Sequence, residues 1–358
     1  LADDILLLDG GRIAGRGTPR ELYPALSTRP ASPVPTPPAA QFAAVANRRP
    51  GVHLTCLTAA EAAEQASRYP ANGCRPAPLP ERTPADGPPA VRLEGVSFAY
   101  DPARPVLRGL DVLIPAGQFV ALTGDNGAGK TTFAKHLIGL LRPAQGSVEI
   151  FGEPAVGRSI GQLARQVGFA YQNPELQIFS ATVREEIAFG PRNLGMEGAA
   201  LESAVEEALH RFDLADIAAH PPAALSFSDR RMVALAAISA MQTPLLVLDE
   251  PTVGLDAAGQ ARVLDWLDER HRAGTTILLI THDMELAARR AERILVLDAG
   301  RILADGTPRE VFSRPDVLHQ AGLEPPFAVS FAGALGRPAL AADLTPQGSA
   351  RAWLECLE

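Results

Sequence analysis

The stretch "FVALTGDNGAGKTTFAKHLIGLL", residues 119–141, sets a glycine-rich loop between an apolar strand-like run and a helical run. Its centre, "GDNGAGKT" at residues 124–131, fits G-x-x-x-x-G-K-[ST], and the flanking elements decide how to read it. Alone, the pattern is a glycine-rich turn. Between a strand and a helix, Gly124, Gly127 and Gly129 let successive backbone N–H groups turn inward around an anion, and the helix N-terminus adds its positive dipole end. Lys130 can then reach the β- and γ-phosphates of a nucleotide, and Thr131 can ligate magnesium. Lys130 and Lys135 are the only lysines, against a large excess of arginine, and at position 130 a compact ammonium suits phosphate better than a guanidinium.

The loop implies a sheet to carry it, and the rest of the chain supplies one. "VRLEGVSFAY" alternates as a strand facing a core on one side, whereas "LLVLDE" and "TTILLITHD" are continuous apolar runs, as in parallel strands covered on both faces. Helical stretches such as "LESAVEEALHRFDL" lie between them. Alternation of this kind implies an α/β domain with a mainly parallel sheet, whose chemistry gathers at the carboxyl ends of its strands.

Those ends carry acids and a histidine. Asp249 and Glu250 close "LLVLDE"; the first can hold magnesium and the second can accept a proton from an attacking water. Two acids after a strand more often cap a helix, and only the phosphate loop upstream favours the catalytic reading. His282 follows the next strand, where an imidazole can meet the γ-phosphate; a lone histidine is otherwise a structural residue.

The 358 residues carry a net charge of -8, which leaves no basic footprint for nucleic acid. No apolar run reaches the eighteen or so residues of a spanning helix, and no signal peptide is evident. Cys56, Cys74 and Cys356 lack metal-ligand spacing and point to a reducing compartment.

The phosphate loop, "YQNPELQIF", "LSFSDRRMVALA", "LLVLDEPTVGLD" and "ITHD", in that order over residues 91–323, resemble the nucleotide-binding domain of ATP-binding cassette (ABC) proteins. The resemblance implies a P-loop NTPase of ABC type, with a mainly parallel sheet core, an antiparallel β subdomain and a helical subdomain, hydrolysing ATP with Mg2+. It implies a nucleotide held by Tyr100 under the adenine, by Gly124, Asn126, Gly127, Gly129, Lys130, Thr131 and Thr132, and by Ser226 and Asp256 across a paired cassette. Thr131, Gln172 and Asp249 would serve the metal, with Glu250, His282 and Gln172 catalytic. Residues 172–195 are similar to the energy-coupling factor (ECF) and cobalt-type importers, where this region receives helices of a membrane scaffold. A transmembrane scaffold subunit, a separate substrate-binding membrane subunit and a place on the cytoplasmic face of a bacterial plasma membrane are thereby expected, for a vitamin or metal-ion cargo. A soluble twin-cassette ATPase acting on ribosomes or DNA, and a non-hydrolysing regulatory cassette, are the alternatives.

The signature LSGGQ of that family reads "LSFSD" at residues 225–229. Loss of both glycines to Phe227 and Ser228, and of the glutamine to Asp229, should hinder approach to phosphate, so an asymmetric pair of sites is expected.

The chain also repeats itself. Residues 2–23 match residues 291–312 at 13 of 22 positions, "PPAAQFAAVA" from Pro37 echoes "PPFAVSFAGA" from Pro325, and "LTAAEAA" from Leu57 echoes "LTPQGSA" from Leu344. Residues 1–30 are therefore expected to be the C-terminal remnant of a preceding cassette in a longer tandem protein, with a hairpin that is mobile or loosely docked. Residues 31–89 would be a Pro/Ala-rich linker with a short helix capped by Thr58. Residues 90–323 would be the ATP-binding domain, and 324–358 its tail.

Overall fold

The computed structural model describes residues 2–9, 11–27, 34–69 and 88–357. Cys74 and most of the expected Pro-rich stretch at residues 76–89 lie outside the described residues, as do residues 28–33 of the other one. The twelve described strands are β1 (Ile5–Asp9), β2 (Arg12–Gly17), β3 (Val91–Asp101), β4 (Arg104–Ile114), β5 (Phe119–Thr123), β6 (Gln145–Ile150), β7 (Glu153–Pro154), β8 (Val167–Ala170), β9 (Leu245–Asp249), β10 (Thr276–Ile280), β11 (Arg293–Asp298) and β12 (Arg301–Gly306).

Six strands form the central sheet in the order β12-β11-β5-β10-β9-β8, parallel except for β12. Every residue of β5, β9 and β10 is buried, which is why they read as unbroken apolar runs. Their side chains alternate between two cores. Phe119, Ala121, Leu246 and Leu279 join the core beneath Trp266 and Phe212, while Val120, Leu122, Val247 and Leu278 join the core around Phe133 and Leu137. The parallel register leaves Thr123, Asp249 and Ile280 ending at one edge, so the loops that follow them meet there. The antiparallel sheet β4-β3-β6-β7 and the helices Val183–Asn193, Gly198–Arg211 and Phe227–Met241 complete the three expected parts.

The repeat is structural as well as textual. β1 pairs with β2 as β11 pairs with β12, with Ile5 opposite Gly17 as Ile294 is opposite Gly306, and both hairpins slip register at the same place, between Leu7 and Leu8 and between Val296 and Leu297. Each is followed by the same cap: the Thr18 N–H donates to Glu21 and the Thr307 N–H to Glu310, both at 2.8 Å. Those hydrogen bonds hold both carboxyls below the ordinary glutamate range.

The region expected to be linker contains two helices rather than one, Pro38–Ala46 and Ala59–Ala66. Their counterparts are Phe327–Ala334 and Pro346–Glu355. Capping residues Pro37 and Pro326 align the first pair one position away from the match read off the sequence, and so place Phe42 opposite Phe331. Thr58 and Thr345 cap the second pair. The first helix of each copy packs on the second helix of the other, and the rings of the equivalent residues Phe42 and Phe331 meet at 4.5 Å. Trp353 and Tyr69 close this core edge-on at 5.7 Å.

The helix after the first hairpin, Pro19–Ser27, is tied down by Arg20, which donates to the Thr55 carbonyl and to Glu61, each at 2.9 Å. Cys56 is a free buried thiol whose pKa burial pushes up to about 11. No helix among the described residues is long and apolar enough to cross a membrane.

Candidate active site

The phosphate loop joins β5 to the helix Lys130–Leu137. Gly124 has φ +144°, and a Cβ there would stand 2.0 Å from the Leu297 carbonyl oxygen, so β11 leaves room for glycine alone. Gly129 caps the helix at φ +110°. Lys130 Nζ lies over the loop, donating to the carbonyls of Gly124 and Asp125 at 2.8 and 2.9 Å. Burial lowers its pKa, opposed by the charges of Glu250, Asp249 and Asp125.

Across the loop stands the end of β9. Thr131 Oγ1 donates to Asp249 Oδ2 at 2.9 Å, bringing two hard oxygen ligands together. Burial pushes the Asp249 carboxyl up, while the Thr131 hydroxyl and Lys130 pull it down. Magnesium takes one or two protein oxygens and completes its octahedron from water and substrate phosphates. The Thr131–Asp249 pair fits that demand, and no cluster of three or more His, Cys, Asp or Glu among the described residues forms a protein-only cage.

Glu250 turns out of the strand at φ +50°, unusual for a residue with a side chain. Its N–H donates to the Ile280 carbonyl at 2.9 Å, which fixes it against the end of β10. The carboxylate, 6% exposed, collects the Thr281 hydroxyl at 3.2 Å, the His282 N–H at 2.8 Å and His282 Nδ1 at 2.5 Å. The His282 side chain stays 70% exposed at the cleft.

The cleft measures about 1090 Å³. Gly124, Asn126, Gly127, Gly129, Lys130, Thr131, Thr132, Gln172, Asp249, Glu250 and His282, all expected from the sequence, line it together. Its far wall is the tail segment 322–326 with Glu285. Three expected residues lie elsewhere. Tyr100 is 60% exposed on β3, its hydroxyl 3.4 Å from Thr132 Oγ1 and its ring edge-on to Phe98. Ser226 caps the helix Phe227–Met241, where its hydroxyl donates to Asp229 Oδ2 at 2.7 Å and accepts the Asp229 N–H at 3.1 Å. Asp256 caps the helix Ala257–Arg272, accepting the Gly259 N–H at 2.7 Å. Phe227 stays 40% exposed at the signature, with one edge of its ring against Gly254 and its face under the Arg231 guanidinium.

Sequence reasoning missed Arg231. This residue is 2% exposed and donates to the carbonyl oxygens of Glu250, at 2.8 Å, and of Gln172. The signal was a charge, in "DRRMVALAAISAM", on the buried face of an otherwise apolar helix.

A family model described as ABC transporter matches residues 107–253. The chain is 42% identical over 257 residues to a putative ABC transporter ATP-binding protein of Methanosarcina acetivorans, covering 72% of this chain but only 42% of that protein. It is 40% identical to the energy-coupling factor transporter ATP-binding protein EcfA of Methanocaldococcus jannaschii, over 66% of this chain and 85% of that one. Among solved structures, cbiO1 from Clostridium perfringens, part of the ABC transporter complex cbiONQ, superposes with a TM-score of 0.58 at 29% identity, over 69% of this chain and 99% of that one. With a phosphate loop facing Asp249, Glu250 and His282 at one sheet edge, and relatives of this kind, the chain belongs to the ABC transporter ATP-binding proteins.

Proposed function

We propose that this chain is an ATP-hydrolysing cassette that powers an ECF-type membrane importer for a vitamin or metal ion. The observation that carries the reading is the Glu250 carboxylate, pinned by Thr281 and His282 across the cleft from Lys130. Magnesium held by Thr131 and Asp249 would neutralise charge developing on the phosphates. Lys130 leaves its two loop carbonyls to bind the same phosphates. Glu250 orients the attacking water and takes its proton. His282, fixed through Nδ1, presents the rest of its exposed ring to the γ-phosphate.

The hairpin β1–β2 supports a preceding cassette in the same polypeptide, paired head-to-tail with this one. Leu6 and Leu8 are 55% and 70% exposed, whereas their equivalents Leu295 and Leu297 are fully buried in the sheet beside β5. A first cassette would supply that missing neighbour. Its ATP would meet the "LSFSD" signature, where the Ser226 hydroxyl already donates a hydrogen bond to Asp229. Slow turnover at that site, and fast turnover at Lys130, follow.

Gln172 opens a segment whose Leu176 and Phe179 are 69% and 65% exposed, with Phe189 edge-on to Phe179 at 4.6 Å. Such a patch suits the helices of a transmembrane scaffold on the cytoplasmic face of the membrane, with cargo chosen by a separate membrane subunit. Purification from membranes tests the assembly: a small integral scaffold protein supports it, and ribosomes or DNA in its place refute it. Single-turnover assays on the full polypeptide, neutralising the catalytic glutamate of one cassette at a time, test the asymmetry.

A further inference from the structure

We propose that Arg231 is a positioning residue for ATP hydrolysis, tying the signature helix of this cassette to its own catalytic glutamate and to the Gln172 loop. The inference rests on the hydrolytic function proposed above.

Arg231 lies one turn after Phe227 in the helix Phe227–Met241, so the two side chains share a face. The guanidinium stands 5.3 Å from the Phe227 ring centroid. It does not seek the nearby carboxylates but donates to two main-chain carbonyls, of Glu250 and of Gln172. A buried cation spent on backbone oxygens fixes peptide planes, not charges. Glu250 is the residue that needs such fixing. Its φ of +50° is disfavoured for a side-chain-bearing residue, and its backbone is held from both sides, by Ile280 through the N–H and by Arg231 through the carbonyl.

The ring extends the connection. A Cβ on Gly254 would stand 2.6 Å from Phe227, so the turn after Glu250 is packed against the same aromatic. The Nε of Arg231 has no hydrogen-bond partner among the described residues, a cost that the two carbonyl bonds outweigh only while both loops stay in place. Displacement of the signature when cassettes pair is thereby passed to the water-activating carboxylate and to the loop facing the membrane partner. Phe227, one of the residues that breaks the signature pattern, covers Arg231 and thus has a use on this side of the helix.

The test compares Arg231→Met, Arg231→Lys and Phe227→Leu in the full polypeptide, reading kcat and KM for MgATP, nucleotide affinity by a fluorescent ATP analogue, and thermal midpoint. Arg231→Met is expected to lower kcat by on the order of tenfold or more while nucleotide affinity stays within about twofold. Lysine, which can reach one carbonyl, should restore part of kcat, and Phe227→Leu should fall between lysine and wild type. If Arg231→Met does not fold, the lysine and leucine variants decide on the same split. A kcat per folded site equal to wild type in the variants that fold overturns the inference. Wild-type protein no faster than Glu250→Gln overturns the hydrolytic reading instead.

Discussion

Glu250 and His282 lie 2.5 Å apart, Nδ1 to Oε1, although 32 positions separate them in the chain. The contact exists because β9 and β10 end in register, Asp249 beside Ile280, so the residues one and two positions on are delivered to the same point. The carboxylate is held by groups that orient it while leaving acceptor capacity, since among the described residues Oε2 receives only the Thr281 hydroxyl.

Removal of either partner should therefore separate binding from chemistry. Glu250→Gln is expected to lower kcat by at least about a hundredfold, and His282→Ala by about tenfold or more, with MgATP affinity little changed. Steady-state phosphate release with parallel nucleotide titrations checks both.

The Thr131–Asp249 pair makes a prediction about metal. Thr131→Val removes one proposed magnesium ligand and frees the Asp249 carboxylate from its hydrogen bond, so the magnesium concentration for half-maximal activity should rise at least about tenfold. Titration of Mg2+ at saturating ATP measures it. An unchanged requirement would place the metal elsewhere.

Glu285, on the far wall of the cleft, tests the electrostatics of burial. Burial raises its pKa; one carboxyl oxygen accepts the Phe327 N–H at 2.5 Å and the other has no partner among the described residues. A carboxyl whose pKa is raised in the folded state binds more protons there than in the unfolded chain, so its contribution to stability falls as pH rises from the ordinary glutamate range through the folded pKa. Glu285→Gln should thus melt higher than wild type at neutral pH, with the difference closing toward pH ~4. Thermal melts across pH check the sign.

The tail unit built from both copies depends on Phe42, which is fully buried between Phe327, Phe331 and Trp353. Phe42→Ala should cost that unit about 3–5 kcal/mol and expose residues 38–66 to protease before the nucleotide domain unfolds. Simultaneous loss of both would show one cooperative unit.

The sequence carries the central sheet because strands buried on both faces are written as apolar runs, and it carries the cleft because Lys130, Asp249, Glu250 and His282 each follow such a run. Arg231 escaped because an arginine on a helix reads as surface, and only Gln172 and Glu250, 59 and 19 positions away, show that it faces inward. The direction of Phe227 was hidden for a similar reason: Gly254, which gives its ring a place, is brought there by folding. The tail repeat was visible but misplaced by one residue, because helix caps, not the paired prolines, set its alignment.

The most direct test of the account is single-turnover hydrolysis of MgATP by the full polypeptide, wild type against Glu250→Gln. Loss of phosphate release from the site at Lys130 with nucleotide still bound is the predicted result. Equal release from both proteins would contradict a catalytic site built on Glu250.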